Sequence, residues 1–368
     1  MTIIIFILVL VALIVVHELG HFVVAKLSGM RVDEFGVGYP PRARAWKYGE
    51  TEYTLNWLPF GGFVRIYGED EQDRVEGSDQ THRAFGSRPR ILQALVLLAG
   101  IAMNLLFAWI LFSATLALGT ERALAPEEVA TASSVRLFIA DTLPGAPAQL
   151  AGLLPGDSLK SASFAEQTFS GSNASEFTNF IASDATLVPI TFTVLRNNKE
   201  LTLTATPRTG VIATDLSRPA LGIAVATSGI LAVSWWDAPQ EGLLLTWEVT
   251  KATAKGLWHF FAGVFTFSAD LSQVSGPIGI AGAVGSASSQ GFSALLSLTA
   301  IISINLALIN VLPLPALDGG RLLFVLIESI TRRPIPARVG RIVNGAGFAF
   351  LILLMVVVTG NDIFKALL

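Results

Sequence analysis

His17-Glu18-Leu19-Gly20-His21 lies inside an apolar stretch, residues 2–25, that decides how this chain folds. Residues 2–16 read TIIIFILVLVALIVV, and apolar residues resume directly after His21. A stretch of this length crosses the roughly 30 Å of hydrocarbon in a bilayer as a helix. Ionisable side chains at that depth cost roughly 2.5–3.5 kcal/mol each, so they are rare and usually functional. We therefore expect a membrane-spanning helix that carries a functional site.

The two histidines have the spacing of a zinc-hydrolase motif. Residues four apart share a helix face, so His17 and His21 can both bind one zinc ion, while Glu18 lies where it can act on a water activated by the metal. An HExxH string also arises by chance in about one chain of this length in a hundred, and a lone buried histidine is more often a core residue than a ligand. Chance matches favour polar segments, whereas this one interrupts a membrane span. The pattern predicts hydrolysis inside the membrane.

The composition is that of an integral membrane protein. Of the 368 residues, 52% are hydrophobic and only 14% are charged, against about 25% charged in soluble domains. A net charge of −3, with no basic patch between aromatic residues, gives no indication of nucleic-acid binding. The lack of cysteine excludes disulfides and thiolate zinc ligands. The N-terminus has neither a basic leader nor a small-residue cleavage site, so we expect the first helix to be retained.

The distribution of charge predicts the topology. Four segments are long and apolar enough to span a bilayer, at about 2–25, 91–118, 292–312 and 342–360. Lysine and arginine gather at the ends of the 28–90 connection and fill the connection between the last two spans, whereas residues 121–241 carry 7 Lys and Arg against 12 Asp and Glu. By the positive-inside rule, both basic connections face the cytoplasm, and the termini and the long polar region face outward. His17 then lies about 21 Å along the first span, towards the cytoplasmic side.

A third metal ligand is predicted near the end of the third span. No Asp, Glu, Lys, Arg or His occurs between Leu271 and Leu317, and the run ends at Asp318 in the sequence NVLPLPALDGG, residues 310–320. The first and third spans run in the same direction, so Asp318 comes within reach of the two histidines. Pro313 and Pro315 cannot continue a regular helix, and broken backbone in a membrane requires protein or a water-filled cavity around it. The alternative is a plain helix-terminating turn with a capping aspartate.

These motifs resemble those of the site-2 proteases, the intramembrane zinc metalloproteases of peptidase family M50, in the branch of the bacterial regulator-of-sigma-E protease (RseP). The HExxH helix corresponds to the zinc-binding helix of that family, and residues 310–319 match its second motif, Asn-x-x-Pro-x-Pro-x-Leu-Asp-Gly, in full. Residues 275–279 (SGPIG) and 359–362 (TGND) also look like this branch. The resemblance covers nearly the whole chain.

The resemblance implies a zinc ion held by His17, His21 and Asp318, with Glu18 as general base. It places Asn310 and Asn305 near the substrate backbone, although an asparagine in a span can equally make an interhelical hydrogen bond. The implied substrates are single-span proteins in the bacterial inner membrane, such as a membrane-anchored anti-sigma factor or a leftover signal peptide. The alternative function is a non-proteolytic zinc-binding transporter or PDZ scaffold. Transport favours repeated ligand sets or inverted repeats, and the sequence contains neither.

The 28–90 connection contains a predicted β-hairpin. Residues 32–38, 43–48 and 51–57 are strand-like, Gly49-Glu50 is a possible turn, and residues 58–64 are apolar and rich in glycine. In the family this region looks like a membrane-re-entrant β element that adds an extended substrate as a strand. The alternative is a small cytoplasmic hairpin packed on the helices.

The long polar region contains one predicted PDZ domain. Residues 143–157 (LPGAPAQLAGLLPGD) resemble a segment of bacterial PDZ domains, residues 134–139 are strand-like, and residues 190–196 and 200–205 flank an Asn197-Asn198-Lys199 turn. The best-known member of the branch carries two such domains, and this chain has room for one, over roughly 130–210. The domain can bind peptides or act as a size filter that excludes bulky substrates. Residues 238–268 have the pattern of an amphipathic helix at the outer interface.

The expected fold is therefore a polytopic α-helical membrane protein with four transmembrane helices, a membrane-associated β-hairpin and an extracytoplasmic α/β PDZ domain. Residues 1–119 would hold the first two spans and the 28–90 β region, 120–215 the PDZ domain, 216–290 the interfacial segment, and 291–368 the last two spans with the Asp318 motif. The active site would lie towards the cytoplasmic side of the inner membrane, surrounded by lipid.

Overall fold

The computed structural model describes residues 1–69, 81–125, 128–165, 167–183, 187–196, 199–211, 218–266 and 275–367. The chain divides into two compact units. The core unit comprises Met1–Thr115 and Trp235–Leu368, and the inserted unit comprises Leu116–Ser234.

The core unit is mainly helical. Its helices are α1 (Thr2–Leu27), α2 (Arg90–Leu118, whose last turn belongs to the inserted unit), α5 (Ala238–Phe265), α6 (Pro277–Gln290), α7 (Phe292–Val311), α8 (Asp318–Thr331) and α9 (Ala337–Leu367). Four stretches within these helices are long and apolar enough to cross a membrane: Thr2–Leu27, Arg90–Leu118, Phe292–Val311 and Arg338–Phe364. These are the four spans predicted from the sequence. The last helix is longer than the predicted 342–360 because its polar ends remain helical.

The β-hairpin of the core unit consists of two long antiparallel strands, β1 (Val32–Tyr48) and β2 (Thr51–Ile66). The predicted turn at Gly49-Glu50 is confirmed, and Gly49 has a φ of +61° that favours glycine. The separate predicted strands are continuous in the structure. Both strands change partners along their length, so that residues 34–37 pair with 52–55 and also with 62–65. The hairpin is therefore folded into a small sheet of four strand segments.

An ion cluster fastens the hairpin turn to the helices. Glu50 accepts hydrogen bonds from Arg83 (2.7 and 2.8 Å) and from Lys26 at the end of α1 (2.6 Å). The two hydrogen bonds from Arg83, together with the one from Lys26, lower the pKa of Glu50 to about 2. This carboxylate therefore stays ionised, and the cluster stays intact, over the whole neutral range.

Close approach between helices sets the position of α1. A Cβ atom added at Gly20 would lie 2.7 Å from the backbone carbon of Ala99 and 2.8 Å from Met103 Cγ, so no larger residue fits there. The buried face of α1 also carries Leu13, His17 and His21. This face presents both histidines to α2.

The inserted unit is a β-sheet with two short helices. Its elements are β3 (Thr120–Ala123), β4 (Ser133–Thr142), α3 (Pro147–Leu150), β5 (Ser158–Phe164), β6 (Gln167–Phe169), α4 (Ala174–Ala182), β7 (Ile190–Arg196), β8 (Lys199–Ala205) and β9 (Ile223–Leu231). The strand order is β3-β9-β4-β5-β7-β8, with β6 paired to β5. Leu137, Ile139, Phe177 and Phe192 are among its fully buried side chains.

Asp157, which ends the predicted PDZ segment, has a structural role in this unit. Burial alone would raise its pKa, but hydrogen bonds from Arg196 (2.6 and 2.7 Å) and from the Leu154 backbone (3.0 Å) lower it. The ionised carboxylate joins the loop after α3 to the end of β7.

The inserted unit extends beyond the predicted 120–215 domain. Strand β9, which lies in the predicted interfacial segment 216–290, pairs with β4 and β3 inside the sheet. Strand β9 was missed because its partners are distant in sequence. The Asn197-Asn198 part of the predicted turn lies outside the described residues, although Arg196 and Lys199 on either side are paired. Helix α5 agrees with the helix predicted over 238–268 in the part that the structure describes.

Candidate metal centre

Three predicted ligands meet at one point in the core unit. The Nε2 atoms of His17 and His21 are 3.2 Å apart, and Oδ2 of Asp318 lies 3.1 Å from the first and 3.3 Å from the second. Within the described part of the chain, this is the group of His, Cys, Asp or Glu side chains that could hold a metal ion. The structure thus brings together residues almost 300 positions apart in sequence.

The geometry of this group fits zinc. A tetrahedral zinc ion with bonds of about 2.0–2.1 Å to nitrogen and oxygen separates its ligand atoms by roughly 3.3 Å, close to the three observed distances. Oδ2 of Asp318 is buried and has no conventional hydrogen-bond partner, as expected of an oxygen that is used by a cation. Three protein ligands leave the fourth position of zinc open, which is the arrangement of catalytic sites.

Helix α2 orients the ring of His21 through a direct hydrogen bond. The Nδ1–H group of His21 donates a hydrogen bond to the backbone oxygen of Val96 at 2.8 Å. This bond places the ring proton on Nδ1 and leaves the Nε2 lone pair for a metal. On the same helix, Asn104 places its amide 3.1 Å from Nδ1 of His17.

Gly100 of α2 leaves the space that both rings occupy. A Cβ atom added there would lie 2.7 Å from Cε1 of His17 and 2.7 Å from Cε1 of His21. Real Cβ contacts are not this short, so any side chain at position 100 would displace the imidazoles.

The turn after α7 brings Asp318 to the histidines. The chain leaves α7 at Val311, and Ala316 has a φ of +74°, a left-handed conformation that costs about 1–3 kcal/mol in a residue other than glycine. Asp318 is the first residue of α8. Cβ atoms added at Gly319 and Gly320 would lie 2.6 and 2.7 Å from backbone carbons of Val311 and Leu314, so both glycines are required by the tight turn. The alternative prediction, a plain helix-terminating turn, is right about the backbone, because α7 does end in a turn here. The Asp318 side chain, however, points at the two histidines.

The other predicted site residues lie at different distances from this group. Glu18 follows His17 on α1, is partly buried and interacts electrostatically with His17, His21 and Asp318. Its Cγ is 3.4 Å from the position of a Cβ at Gly62 in β2. Nδ2 of Asn310 lies 3.4 Å from Nε2 of His17. Asn305 precedes Asn310 by five residues on α7, which turns it by about 140° around the helix, and it is only partly buried.

Three α2 residues that contact the histidines were not predicted: Val96, Gly100 and Asn104. A signal for one of them was present, because Asn104 is a polar residue within the apolar helix α2.

Known proteins resemble this chain over almost its full length. The sequence profile of peptidase family M50 matches residues 5–354. A Clostridium perfringens protein, provisionally named as a zinc metalloprotease, is 34% identical over 358 residues, which are 96% of this chain and 95% of that protein. The zinc metalloprotease RasP of Geobacillus kaustophilus is 29% identical over 445 aligned residues, covering 99% of this chain and 98% of that one. The regulator of sigma-W protease RasP of Bacillus subtilis is 28% identical, with 98% of each chain covered.

The family match extends from α1 into α9 and includes both the histidine motif and Asp318. On this match, and on a relative more than 30% identical over nearly all of both chains, this chain belongs to peptidase family M50, the family of the site-2 proteases.

Proposed function

We propose that this protein is a zinc endopeptidase that hydrolyses peptide bonds in or near the membrane-spanning segments of single-span proteins. The observation that carries the proposal is the convergence of three side chains with the spacing of a three-ligand zinc site. His17 and His21 lie on α1, a helix long and apolar enough to span a membrane, and Asp318 begins α8, after the turn that follows the apolar helix α7. Relatives that are named zinc metalloproteases and a sigma-factor regulatory protease support both the metal and the reaction.

The residues of the site divide the chemistry between them. A zinc ion held by His17, His21 and Asp318 would supply Lewis acidity towards a peptide carbonyl and would make water a better nucleophile. Glu18 accepts the proton that this water releases and then gives it to the amine nitrogen that leaves, so that one water is consumed and the proton is conserved. The Asn310 amide, 3.4 Å from Nε2 of His17, is in position to donate a hydrogen bond to the substrate backbone.

We place the site at the cytoplasmic side of the bacterial inner membrane. The histidines lie in the second half of α1, and the basic residues follow this helix and fill the connection after α7, as the positive-inside rule requires for cytoplasmic ends. Exposed aromatic side chains support contact with lipid headgroups at two places. Trp46, Tyr48 and Trp57 lie on the hairpin, and Trp247 and Trp258 lie on α5.

The hairpin offers an edge to an extended substrate. Residues 62–65 pair with residues 34–37, and Gly62 approaches both Ile14 and Glu18 of α1. A substrate strand added beside this edge would lie next to the general base. Residues 52–55 pair with β1 segments on both sides, so we assign substrate addition to the 62–65 edge.

The proposal is tested by comparing two substrates of identical cleavage sequence with the purified full-length protein in lipid vesicles. One substrate carries the sequence in a single membrane span, and the other is a water-soluble peptide. We expect the membrane-embedded substrate to be cut faster, at a bond that mass spectrometry maps to the cytoplasmic half of the span. Equal cleavage of the two substrates would contradict the intramembrane assignment. Stoichiometric zinc with no cleavage of any single-span substrate would favour the scaffold or transporter.

We also propose that the inserted unit is a single PDZ domain on the outer side of the membrane, and that it binds peptides. It contains a groove of about 250 Å³ between α4 and β9, lined by residues that include Phe177, Thr178, Leu221, Ile223 and Val225. An apolar groove between a helix and a strand is suited to an extended peptide that adds to the strand.

Filling this groove distinguishes peptide binding from size exclusion. Thr178 is exposed and lines the groove, whereas its exposed neighbour Asn179 does not. We expect Thr178→Trp to weaken binding of a peptide from the outer segment of a substrate by at least about tenfold, the loss of one anchoring contact. Asn179→Trp serves as the matched control. If Thr178→Trp has no effect while deletion of residues 120–231 allows bulky substrates to be cut, the unit is a size filter.

A further inference from the structure

One face of α2 lies against the two histidines. Val96, Gly100 and Asn104 follow one another at four-residue intervals, so they share this face. The oxygen of Val96 accepts the Nδ1–H bond of His21, Gly100 leaves room for both rings, and the Asn104 side chain lies 3.1 Å from Nδ1 of His17. Each histidine therefore has one polar partner on α2 at its Nδ1 atom.

Asn104 is held in a fully buried position. Its exposed fraction is 0%, in a helix otherwise dominated by apolar residues. Its backbone oxygen accepts a hydrogen bond of 2.7 Å from Ser303 Oγ of α7, and Ser303 is also fully buried. The amide nitrogen faces His17, while Oδ1 has no hydrogen-bond partner. A buried polar atom without a partner costs about 1–3 kcal/mol, so the position of this side chain calls for a functional reason.

Zinc binding by Nε2 of His17 requires one particular orientation of the Asn104 amide. The nitrogen and oxygen of an amide group have nearly the same shape and are assigned from their hydrogen bonds. If the nitrogen donates to Nδ1 of His17, a neutral ring carries its proton on Nε2 and cannot bind zinc there. If the oxygen faces the ring, the Nδ1–H group donates to it and the Nε2 lone pair points at Asp318 and His21.

We infer that Asn104 is a positioning residue of the zinc site, whose side-chain oxygen accepts a hydrogen bond from Nδ1 of His17. It does for His17 what the Val96 oxygen does for His21, and helix α2 fixes the tautomer and the direction of both rings. Partners of this kind on metal-binding histidines contribute about 10–100-fold to metal affinity. The inference rests on the zinc site of the proposed function but does not depend on proteolysis.

The test compares Asn104→Leu with Asn104→Asp in the full-length protein. Leucine has a similar size and no acceptor, whereas aspartate presents only acceptor oxygens. Zinc affinity is measured by competition with a chelator, and the ligand geometry is followed by the absorption spectrum of cobalt bound in place of zinc. We expect about 10–100-fold weaker zinc binding for Asn104→Leu, and wild-type or tighter binding with an unchanged cobalt spectrum for Asn104→Asp. Thr115→Val removes a fully buried polar group elsewhere on α2, the hydroxyl that donates to the Leu111 oxygen, and should leave both readouts unchanged.

Two results would overturn the inference. The first is wild-type zinc affinity in Asn104→Leu, which would show that the acceptor is not needed. The second is an equal loss of affinity in Asn104→Asp and Asn104→Leu, because a purely structural role of the amide predicts that both fail. Normal zinc binding in the parent protein with no cleavage of any substrate would remove the proposed function and leave this inference standing.

Discussion

Replacing Glu18 by glutamine is expected to reduce turnover of a single-span substrate by about 10²–10⁴-fold, the usual contribution of general acid–base catalysis, without loss of zinc. Glutamine has the shape of glutamate but cannot accept a proton from water or pass one to the leaving amine. The three ligand atoms belong to other residues, so the metal should remain bound in one equivalent per chain. The measurement is the initial rate of cleavage together with the zinc content of the same preparation.

The alternative functions give a different result for this variant. A protein that only stores zinc or recruits partners has no use for a general base beside its ligands, and its zinc content and partner binding would be the same in both forms. Wild-type turnover in Glu18→Gln would assign the proton transfer to another group. Loss of zinc together with activity would show that Glu18 acts on the metal site itself.

Replacing Asp318 by asparagine is expected to weaken zinc binding by more than about 100-fold. Loss of a residue that only hydrogen-bonds to a ligand weakens metal binding by at most about that factor. The carboxylate supplies one of three ligand atoms and the negative charge that faces both imidazoles at 3.1 and 3.3 Å. Chelator competition on the purified protein measures the loss, and cleavage should disappear with the metal.

Helix α8 provides a matched control for this change. Glu328 lies on the same helix and pairs with Arg90 at 2.8 Å, away from the histidines. Glu328→Gln removes one carboxylate from α8 and should leave zinc affinity unchanged. If Asp318→Asn binds zinc as tightly as the parent protein, the third ligand is another group, and the site does not join the two ends of the core unit.

The ligand set was predictable because each half of it has a local signature. His17 and His21 combine the four-residue spacing of a helix face with a location where ionisable groups are costly. Asp318 is conspicuous since it ends a run of 47 residues without a charged side chain or histidine, from Leu271 to Leu317. The geometry of these residues agrees with the expectation, while their roles stay predictions for the experiments above.

The groups around the ligands could not be predicted in the same way. The oxygen of Val96 is a backbone atom that any residue would supply, and the need for glycine at position 100 depends on how closely α1 and α2 approach. Asn104 alone carries a sequence signal, but an asparagine in a span has several ordinary uses. Which of these applies depends on the tertiary contact with His17.

Strand β9 shows why the extent of the inserted unit was missed. Residues 223–226 of β9 alternate between larger and smaller apolar side chains, which is compatible with a strand. The partners of β9, however, are β3 and β4, about 100 residues earlier. Pairing between strands so far apart in sequence does not produce a local sequence pattern that could predict it. The change of partners within the hairpin was hidden for the same reason, since residues 34–37 pair with two segments of β2.

The inserted unit begins and ends at neighbouring points. The backbone N–H of Val233 donates to the oxygen of Leu116 at 2.9 Å, and Thr120 pairs with Leu231. A domain whose two ends lie close together can be exchanged, enlarged or duplicated, because its length does not change the distance between the two points where it joins the rest of the chain. The inserted unit can therefore change in evolution independently of the residues that form the metal centre in the core unit.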